Sequence, residues 1–266
     1  MKIRPLAWIT FLALLRNRVI VLFFAVFVCV VLLMMTPLLT FKSMANDNPA
    51  QGQGMILSLI EGIMSIVSGF GSLLAAWSAA DSVASEMKTG TIMAVMARPV
   101  RRWEFLLGKY CGVLMLMVLY VVFMFAVSNL LAFIGGERLV TNPWVLLVYP
   151  MVRYSIYAAL AIWLVTVMHP ILAFVIVMIG GVLASMVSPS SSGAAFLSEG
   201  IRKVLFYVLP SMDLLSETNF LALTSANLQP TPWTHHLTAL VYGVDQAIVC
   251  LLLAAWAFRR RSLTRE

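Results

Sequence analysis

The chain has 266 residues, of which 62% are hydrophobic and only 11% are charged, and its formal net charge is +7. A soluble domain is about half apolar and a quarter charged, so one water-soluble core is excluded and a lipid bilayer is the expected environment. The three cysteines (Cys29, Cys111 and Cys250) lie in apolar runs without metal-site spacing, and we interpret them as small buried hydrophobic residues.

The first segment, residues 5–17, has a broad apolar face and ends near Arg16 and Arg18. This pattern predicts an interfacial helix, lying in the plane of the membrane surface. The alternative is that the segment is simply the start of the first membrane span. We do not interpret it as a cleaved signal peptide, because the two arginines interrupt the apolar run before the long hydrophobic stretch begins.

Six apolar stretches are long enough to cross a bilayer, which takes about 20 residues. They are residues 19–39, 55–79, 111–134, 144–167, 170–187 and 237–258. The fourth and fifth form one nearly unbroken run. We predict a hinge at His169-Pro170, because proline disfavours helix at the residue before it. A single bent helix is the alternative, but the combined run is far too long to cross once.

Basic residues are distributed unevenly along these spans. If both termini are cytoplasmic, thirteen of the 18 lysines and arginines lie in cytoplasmic segments, four lie outside, and Arg153 lies within a span. The positive-inside rule therefore places both termini and the loop 80–110 in the cytoplasm. The distribution of positive charge is thus explained by membrane topology, and it gives no reason to expect nucleic acid as a partner.

The loop 80–110 is the longest cytoplasmic segment containing polar residues. Its first part can continue the second span out of the membrane until Gly90 breaks the helix. Thr91 can cap a short helix, residues 92–97, which Pro99 ends. The exposed face of that helix would offer Ile92, Met93, Val95 and Met96 to a partner protein. The alternative is an ordinary interfacial loop whose apolar residues enter the lipid.

The long external segment, residues 188–234, begins as a loop rich in serine and glycine. Apolar residues then recur at helical spacing between Leu197 and Val208, with Glu199, Arg202 and Lys203 on the opposite face. This pattern predicts an amphipathic helix at the outer surface. It would either seal the ends of the spans or cap a translocation route.

Three charged residues, Glu61, Arg153 and Asp245, lie within predicted spans. Counted from the outer ends of their spans at about 1.5 Å per residue, they fall in one layer. Charges inside a membrane are costly and indicate either packing or function. We interpret this layer as an interhelical salt-bridge cluster. The alternatives are a polar station on a transport path, or spans whose true ends lie closer, so that the charged groups reach the lipid headgroups.

Small residues repeat every three or four positions along the second span. They are Gly62, Ser65, Gly69, Ser72 and Ala76. A small-residue face allows membrane helices to pack closely, so we expect helix packing here, for example between two subunits. Lining of a polar pathway is the alternative.

The sequence contains no recognisable catalytic or nucleotide-binding motif. Gly108-Lys109 is followed by Tyr110 and lacks the leading glycine of a phosphate-binding loop. An intramembrane serine protease would need a nucleophile and a base, and these roles cannot be assigned. We therefore expect no enzyme activity and no cofactor in this chain. A secondary transporter and a non-transporting membrane anchor or scaffold are the alternative functions.

The loop 80–110 nevertheless carries a specific pattern. It contains Glu86, Gly90-Thr91-Ile92, Arg98-Pro99-Val100, Trp103-Glu104 and Leu106-Leu107-Gly108-Lys109. In this pattern the loop resembles the cytoplasmic loop of type 2 ATP-binding-cassette (ABC) permeases, which includes a coupling helix. The N-terminal segment is similar to the elbow helix of that family, and the residues 257–261 are similar to its C-terminal ending.

The resemblance implies an all-α permease domain, residues 1–266, in the cytoplasmic membrane. Its partners would be a cognate ABC ATPase, which binds ATP and Mg²⁺, a second permease copy and membrane lipid, with an accessory periplasmic or extracellular protein as a further candidate. The implied function is export driven by that ATPase. The residues implied to contact the ATPase are Glu86, Gly90, Thr91, Ile92, Met93, Met96, Arg98 and Pro99.

Overall fold

The structure, a computed structural model, describes residues 3–47, 49–89, 102–135, 143–187, 215 and 233–260. These residues form helices and turns and contain no strand, which confirms the all-α class. The helices in chain order are α1 (Ile3–Leu15), α2 (Arg18–Asp47), α3 (Pro49–Thr89), α4 (Arg102–Gly135), α5 (Pro143–Val167), α6 (Pro170–Val187) and α7 (Trp233–Arg260). The proposed coupling helix and the external amphipathic helix lie outside the described residues.

Five of these helices, α2, α3, α4, α5 and α7, are long and apolar enough to cross a membrane. The remaining predicted span corresponds to α6, which has 18 residues. At about 1.5 Å per residue α6 is about 27 Å long, close to the thickness of the hydrocarbon core. The fold is therefore that of a multi-pass membrane protein.

The break between α1 and α2 separates the N-terminal helix from the first span. The helix α1 ends at Leu15, and Asn17 starts the next one, because its side-chain oxygen accepts a hydrogen bond from the backbone N–H of Val19 at 3.0 Å. The separate N-terminal helix predicted from the sequence is thus present. Its Trp8 and Ile9 side chains are exposed, as expected for a helix that faces lipid on one side.

One end of the bundle, here called the loop end, is where α3 ends and α4 begins. The side chain of Asn17 donates a hydrogen bond to Asp81 at 2.7 Å, which places the start of α2 beside the last turns of α3. The rings of Phe105 and Phe258 stack at 6.2 Å, which places the end of α7 beside the start of α4. The N-terminal helix and the end of α7 therefore lie at the same end of the molecule.

The opposite end, here called the far end, is defined by two further contacts. The ammonium group of Lys42 donates to the carbonyl of Ile134 at 2.6 Å, so α2 and α4 end together. The Tyr149 hydroxyl lies 2.6 Å from Nδ1 of His236, so α5 and α7 begin together. Together with the loop-end contacts, these pairs show that α2, α3, α4, α5 and α7 run alternately between the two ends.

The fourth and fifth predicted spans are separated by a short turn. The helix α5 ends at Val167, and α6 begins at Pro170. Proline is favourable at the first helical position, because it has no N–H to lose and its φ is already helical. The backbone N–H of Ala173 then donates to the carbonyl of His169 at 2.9 Å. The predicted turn at this dipeptide is confirmed, and α6 returns from the loop end.

The centre of the bundle is built from α3 and α5. Within the apolar, membrane-spanning part of each helix, 67% of the residues are buried in α3 and 61% in α5, against 17% in α2. Alanines supply much of this buried contact, among them Ala75, Ala76, Ala158 and Ala159. Because lipid tails are as apolar as leucine, close packing of small residues is what holds membrane helices together. The second span is therefore the central helix of the subunit.

Candidate functional site

The base of the loop 80–110 is held together by an ion pair. Glu86, near the end of α3, accepts a hydrogen bond from the ammonium group of Lys109, in the third turn of α4. The Lys109 side chain is 6% exposed and that of Glu86 is 25% exposed, so the pair is largely shielded from water. Lys109 also lies 5.8 Å from the centre of the Phe105 ring. The two sides of the loop are thereby joined at its base.

The helix α1 packs against α4 at two glycines spaced four residues apart. A Cβ atom at Gly108 would overlap the side chain of Leu6, and a Cβ at Gly112 would lie 2.7 Å from Thr10 and 2.9 Å from the backbone oxygen of Ala7. Thr10 turns its hydroxyl back to the carbonyl of Leu6 at 2.9 Å, which satisfies that polar group within α1. The absence of side chains at these two positions of α4 therefore sets how closely the N-terminal helix approaches.

These contacts form one unit, here called the loop-end junction. Its residues are Leu6 and Thr10 from α1, Asn17 directly before α2, Asp81 and Glu86 from α3, and Phe105, Gly108, Lys109 and Gly112 from α4. The junction unites α1, the start of α2, the end of α3 and the start of α4. These four elements resist separation from one another, because a buried polar pair and a close backbone contact join them.

We expect Gly112→Val to detach α1 from α4, because the new side chain would meet the backbone of Ala7. The cost in stability is about 1–3 kcal/mol, typical of overpacking. In a background without native cysteines, Ala7→Cys should be protected from a maleimide reagent, and it should become reactive when Gly112→Val is added. Met115→Val, at an exposed position on the same helix, is the control and should leave the cysteine protected. Continued protection with Gly112→Val would contradict the expectation.

The junction accounts for part of the predicted coupling pattern. It brings together Glu86 and Lys109, which lie 23 positions apart, and gives Gly108 a packing role. The other predicted coupling residues, Gly90, Thr91, Ile92, Met93, Met96, Arg98 and Pro99, lie outside the described residues. Their contact with an ATPase remains a prediction.

The predicted charged layer is only partly described. Arg153 on α5 donates from Nη1 to the hydroxyl of Ser68 on α3 at 3.2 Å. Asp245 is exposed on α7, and the side chain of Glu61 lies outside the described residues. Ser68 is two helical turns, about 10 Å, nearer the loop end than Glu61. The guanidinium group therefore reaches towards the middle of α3, and the joint layer remains a prediction.

The small-residue face of α3 divides into an open part and a packed part. Gly62 and Ser65 are exposed, and a Cβ at Gly69 would meet nothing within 4 Å. Ser72 is buried, and its hydroxyl donates to the carbonyl of Ser68 at 3.2 Å. Within the described residues, the half of the stripe nearer the far end is therefore open at Gly62, Ser65 and Gly69. Its role in helix packing remains a prediction.

Gly71 of α3 makes a close contact that the sequence did not predict. A Cβ at Gly71 would overlap the ring of Tyr154 and would lie 2.6 Å from the ring of Tyr120. Both tyrosines are buried, and their rings lie 5.9 Å apart in an edge-to-face arrangement. The only sequence signal was the local run Ser68-Gly69-Phe70-Gly71-Ser72, which does not say which face meets an aromatic ring.

The structure defines a multi-pass membrane protein. Its apolar helices run antiparallel, its N-terminal helix packs at one end, and an ion pair joins the two sides of the loop 80–110 at that end. Comparison with models of protein families matches residues 4–263 to the family described as ABC-2 family transporter protein. The chain therefore belongs to the ABC-2 transporter family, whose members are membrane subunits of transporters. A search of curated proteins returned no match.

Proposed function

We propose that this chain is the non-catalytic permease subunit of an ABC exporter in the cytoplasmic membrane, and that a separate ATPase drives it. The single observation that carries the proposal is the Glu86–Lys109 pair at the base of the loop, within a chain of the ABC-2 family. A loop that only connects two spans needs no shielded ion pair across its base. A loop that receives force does, because otherwise it would move without moving the helices.

The proposed orientation places the loop end in the cytoplasm. The structure groups the N-terminal helix, the base of the loop 80–110 and the end of α7 at that end, and these are the segments that carry most of the basic residues. The positive-inside rule then places the two termini and the loop on the cytoplasmic side. The ATPase, with its ATP and Mg²⁺, would bind there.

In the proposed mechanism, nucleotide closure on the ATPase moves the segment 90–98, and the junction passes that movement to α3. This helix has 41 residues and runs without a break from the loop to the far end. At about 1.5 Å per residue it is about 60 Å long, twice the thickness of the hydrocarbon core. A shift at its loop end therefore reaches the opposite membrane surface. The partner biases a helix bundle between two states, as allosteric coupling requires.

A second permease copy is part of the proposal. Among the residues that the structure describes, the face of α3 that carries Gly62, Ser65 and Gly69 is open. A second copy would give this face a packing partner, and the charged residues Glu61, Arg153 and Asp245 would either brace the helices or contact the substrate. Membrane lipid surrounds the pair, and an accessory protein outside the membrane is a further proposed partner.

The proposal is tested by charged substitutions in the loop. Ile92→Asp combined with Met96→Asp is expected to reduce the amount of ATPase that co-purifies with the tagged chain by about tenfold or more, as loss of interface anchors typically does. The matched control is Ile92→Leu with Met96→Leu, which keeps the apolar surface and should keep the ATPase. Full retention of the ATPase by the aspartate variant would rule out docking at this segment.

A further inference from the structure

The middle of α3 has a composition that is unusual for the centre of a long helix. Residues 68–72 read Ser-Gly-Phe-Gly-Ser, with about equal lengths of helix on either side. Glycine lowers helix stability, and sharp bends in helices occur where glycine and serine residues cluster. The local sequence therefore favours bending at this point in the middle of α3.

Two carbonyl groups at this point receive hydrogen bonds from neighbouring helices. The Tyr120 hydroxyl, on α4, donates to the carbonyl of Val67 at 2.6 Å. The Tyr154 hydroxyl, on α5, lies 3.4 Å from the carbonyl oxygen of Ser68 and 3.8 Å from the sulfur of Met124, so its one proton is shared between these two acceptors. The Ser72 hydroxyl donates to the same Ser68 oxygen. In an α-helix these carbonyls accept from the amides four residues later, at positions 71 and 72. Each carbonyl thus has a second donor.

These extra donors matter because of the surroundings. In a membrane, a backbone carbonyl that loses its helical donor has no water to replace it, and that loss normally prevents helices from opening. Here the tyrosine hydroxyls would still donate to the carbonyls if the helical bonds at 71 and 72 lengthened. The energetic barrier to bending is therefore lower at this point than elsewhere in the same helix.

Packing around the segment is one-sided. The Gly71 side is filled by the two tyrosine rings, whereas a Cβ atom placed on Gly69 would have nothing within 4 Å. The buried rings give α3 a fixed point of contact on one side, whereas no atom of the described residues occupies the Gly69 side. With that side left to lipid or to the second copy proposed above, the far-end half of α3 can tilt about the rings.

We propose that residues 68–72 form a hinge within α3 and that the hydroxyls of Tyr120 and Tyr154 stabilise its bent form. The role of the hinge in transport rests on the proposed function. In that role, the hinge would convert a displacement at the loop end into a tilt of the far-end half of α3. The hinge itself concerns the chain alone, however, and its test does not require the ATPase to be present.

The test is residue-level hydrogen–deuterium exchange on the full chain in lipid nanodiscs, without ATPase. The amides of Gly71 and Ser72 are expected to exchange faster than those of Ala79 and Ala80, although the latter lie nearer the loop end. Tyr120→Phe should slow exchange at position 71 by about fivefold, because it removes the hydrogen bond that satisfies the opened Val67 carbonyl. Tyr154→Phe should slow exchange at position 72 by about twofold, a smaller change because the Ser72 hydroxyl still donates to the Ser68 carbonyl.

The direction of the change separates this proposal from a purely structural role. If the tyrosines only stabilise the straight helix, removing either hydroxyl would speed exchange at 71 and 72 or leave it unchanged, and either result would overturn the hinge. Tyr157→Phe is the matched control, since this buried tyrosine packs on Gly181 of α6 and should not alter those amides. Exchange at 71 and 72 no faster than at 79 and 80 would also overturn it. Loss of ATPase docking would leave all these rates unaffected.

Discussion

Glu86→Lys is expected to lower the free energy of unfolding by about 3–5 kcal/mol, the usual cost of breaking a buried ion pair by changing one partner. The reason is that Lys109 is almost fully buried and would then face a like charge. Lys109→Glu should have an effect of the same size, because it leaves Glu86 beside a second carboxylate. Reversible unfolding in mixed micelles gives the free energy directly.

The double variant Glu86→Lys with Lys109→Glu is the control for this prediction. It restores opposite charges at the same two positions, so it should recover at least half of the lost stability. On the proposed function it should also recover ATP hydrolysis by the partner ATPase. Additive losses in the double variant would show that the two side chains act independently and that the loop base is not clamped by their attraction.

Gly71→Leu is expected to destabilise the protein by about 3 kcal/mol or more, at the upper end of the range for overpacking a core. Even the first added atom would overlap the Tyr154 ring, which is fully buried and has no free space to enter. The midpoint of thermal unfolding of the purified chain in nanodiscs measures the effect.

Gly69→Leu is the matched control, only two positions away on the same helix. A Cβ at Gly69 meets nothing within 4 Å, so the stability of the single chain should change little. On the proposed subunit arrangement the same variant should weaken association of two copies, which cross-linking or light scattering would detect. Equal losses of stability at both glycines would show that glycine itself matters in this helix, and not the contact with Tyr154.

Much of the fold was predictable from hydropathy and charge. The apolar runs identify α2 to α7, because a helix in lipid must satisfy its own backbone and must be apolar over most of its length. The dipeptide His169-Pro170 identifies the turn between α5 and α6, since proline restricts the residue before it. The two arginines after residue 15 identify the separate N-terminal helix. Each of these signals is local, which is why a single sequence carries it.

Contacts between helices were less predictable. The small residues of α3 were assigned to packing as one stripe, yet Gly62 and Gly69 face open space and Gly71 carries the close contact. A central helix has neighbours on several sides, so the spacing of its small residues does not tell which neighbour meets which face. Likewise α4 begins at Arg102, nine residues before the predicted span, and the ion pair between its Lys109 and Glu86 of α3 could not be predicted because it joins two different helices.

The packing of α1 against α4 has a consequence for how the protein is made. The residues that receive Leu6, Ala7 and Thr10 are Gly108 and Gly112, which leave the ribosome about 100 residues later. While the first three helices are being synthesised, α4 is not yet present, so α1 cannot make its contact with Gly108 and Gly112. During that time its apolar side chains would keep it at the membrane surface. Its final position is reached only when the fourth helix inserts, so the loop end of the bundle is completed only after α1 to α4 are all in place.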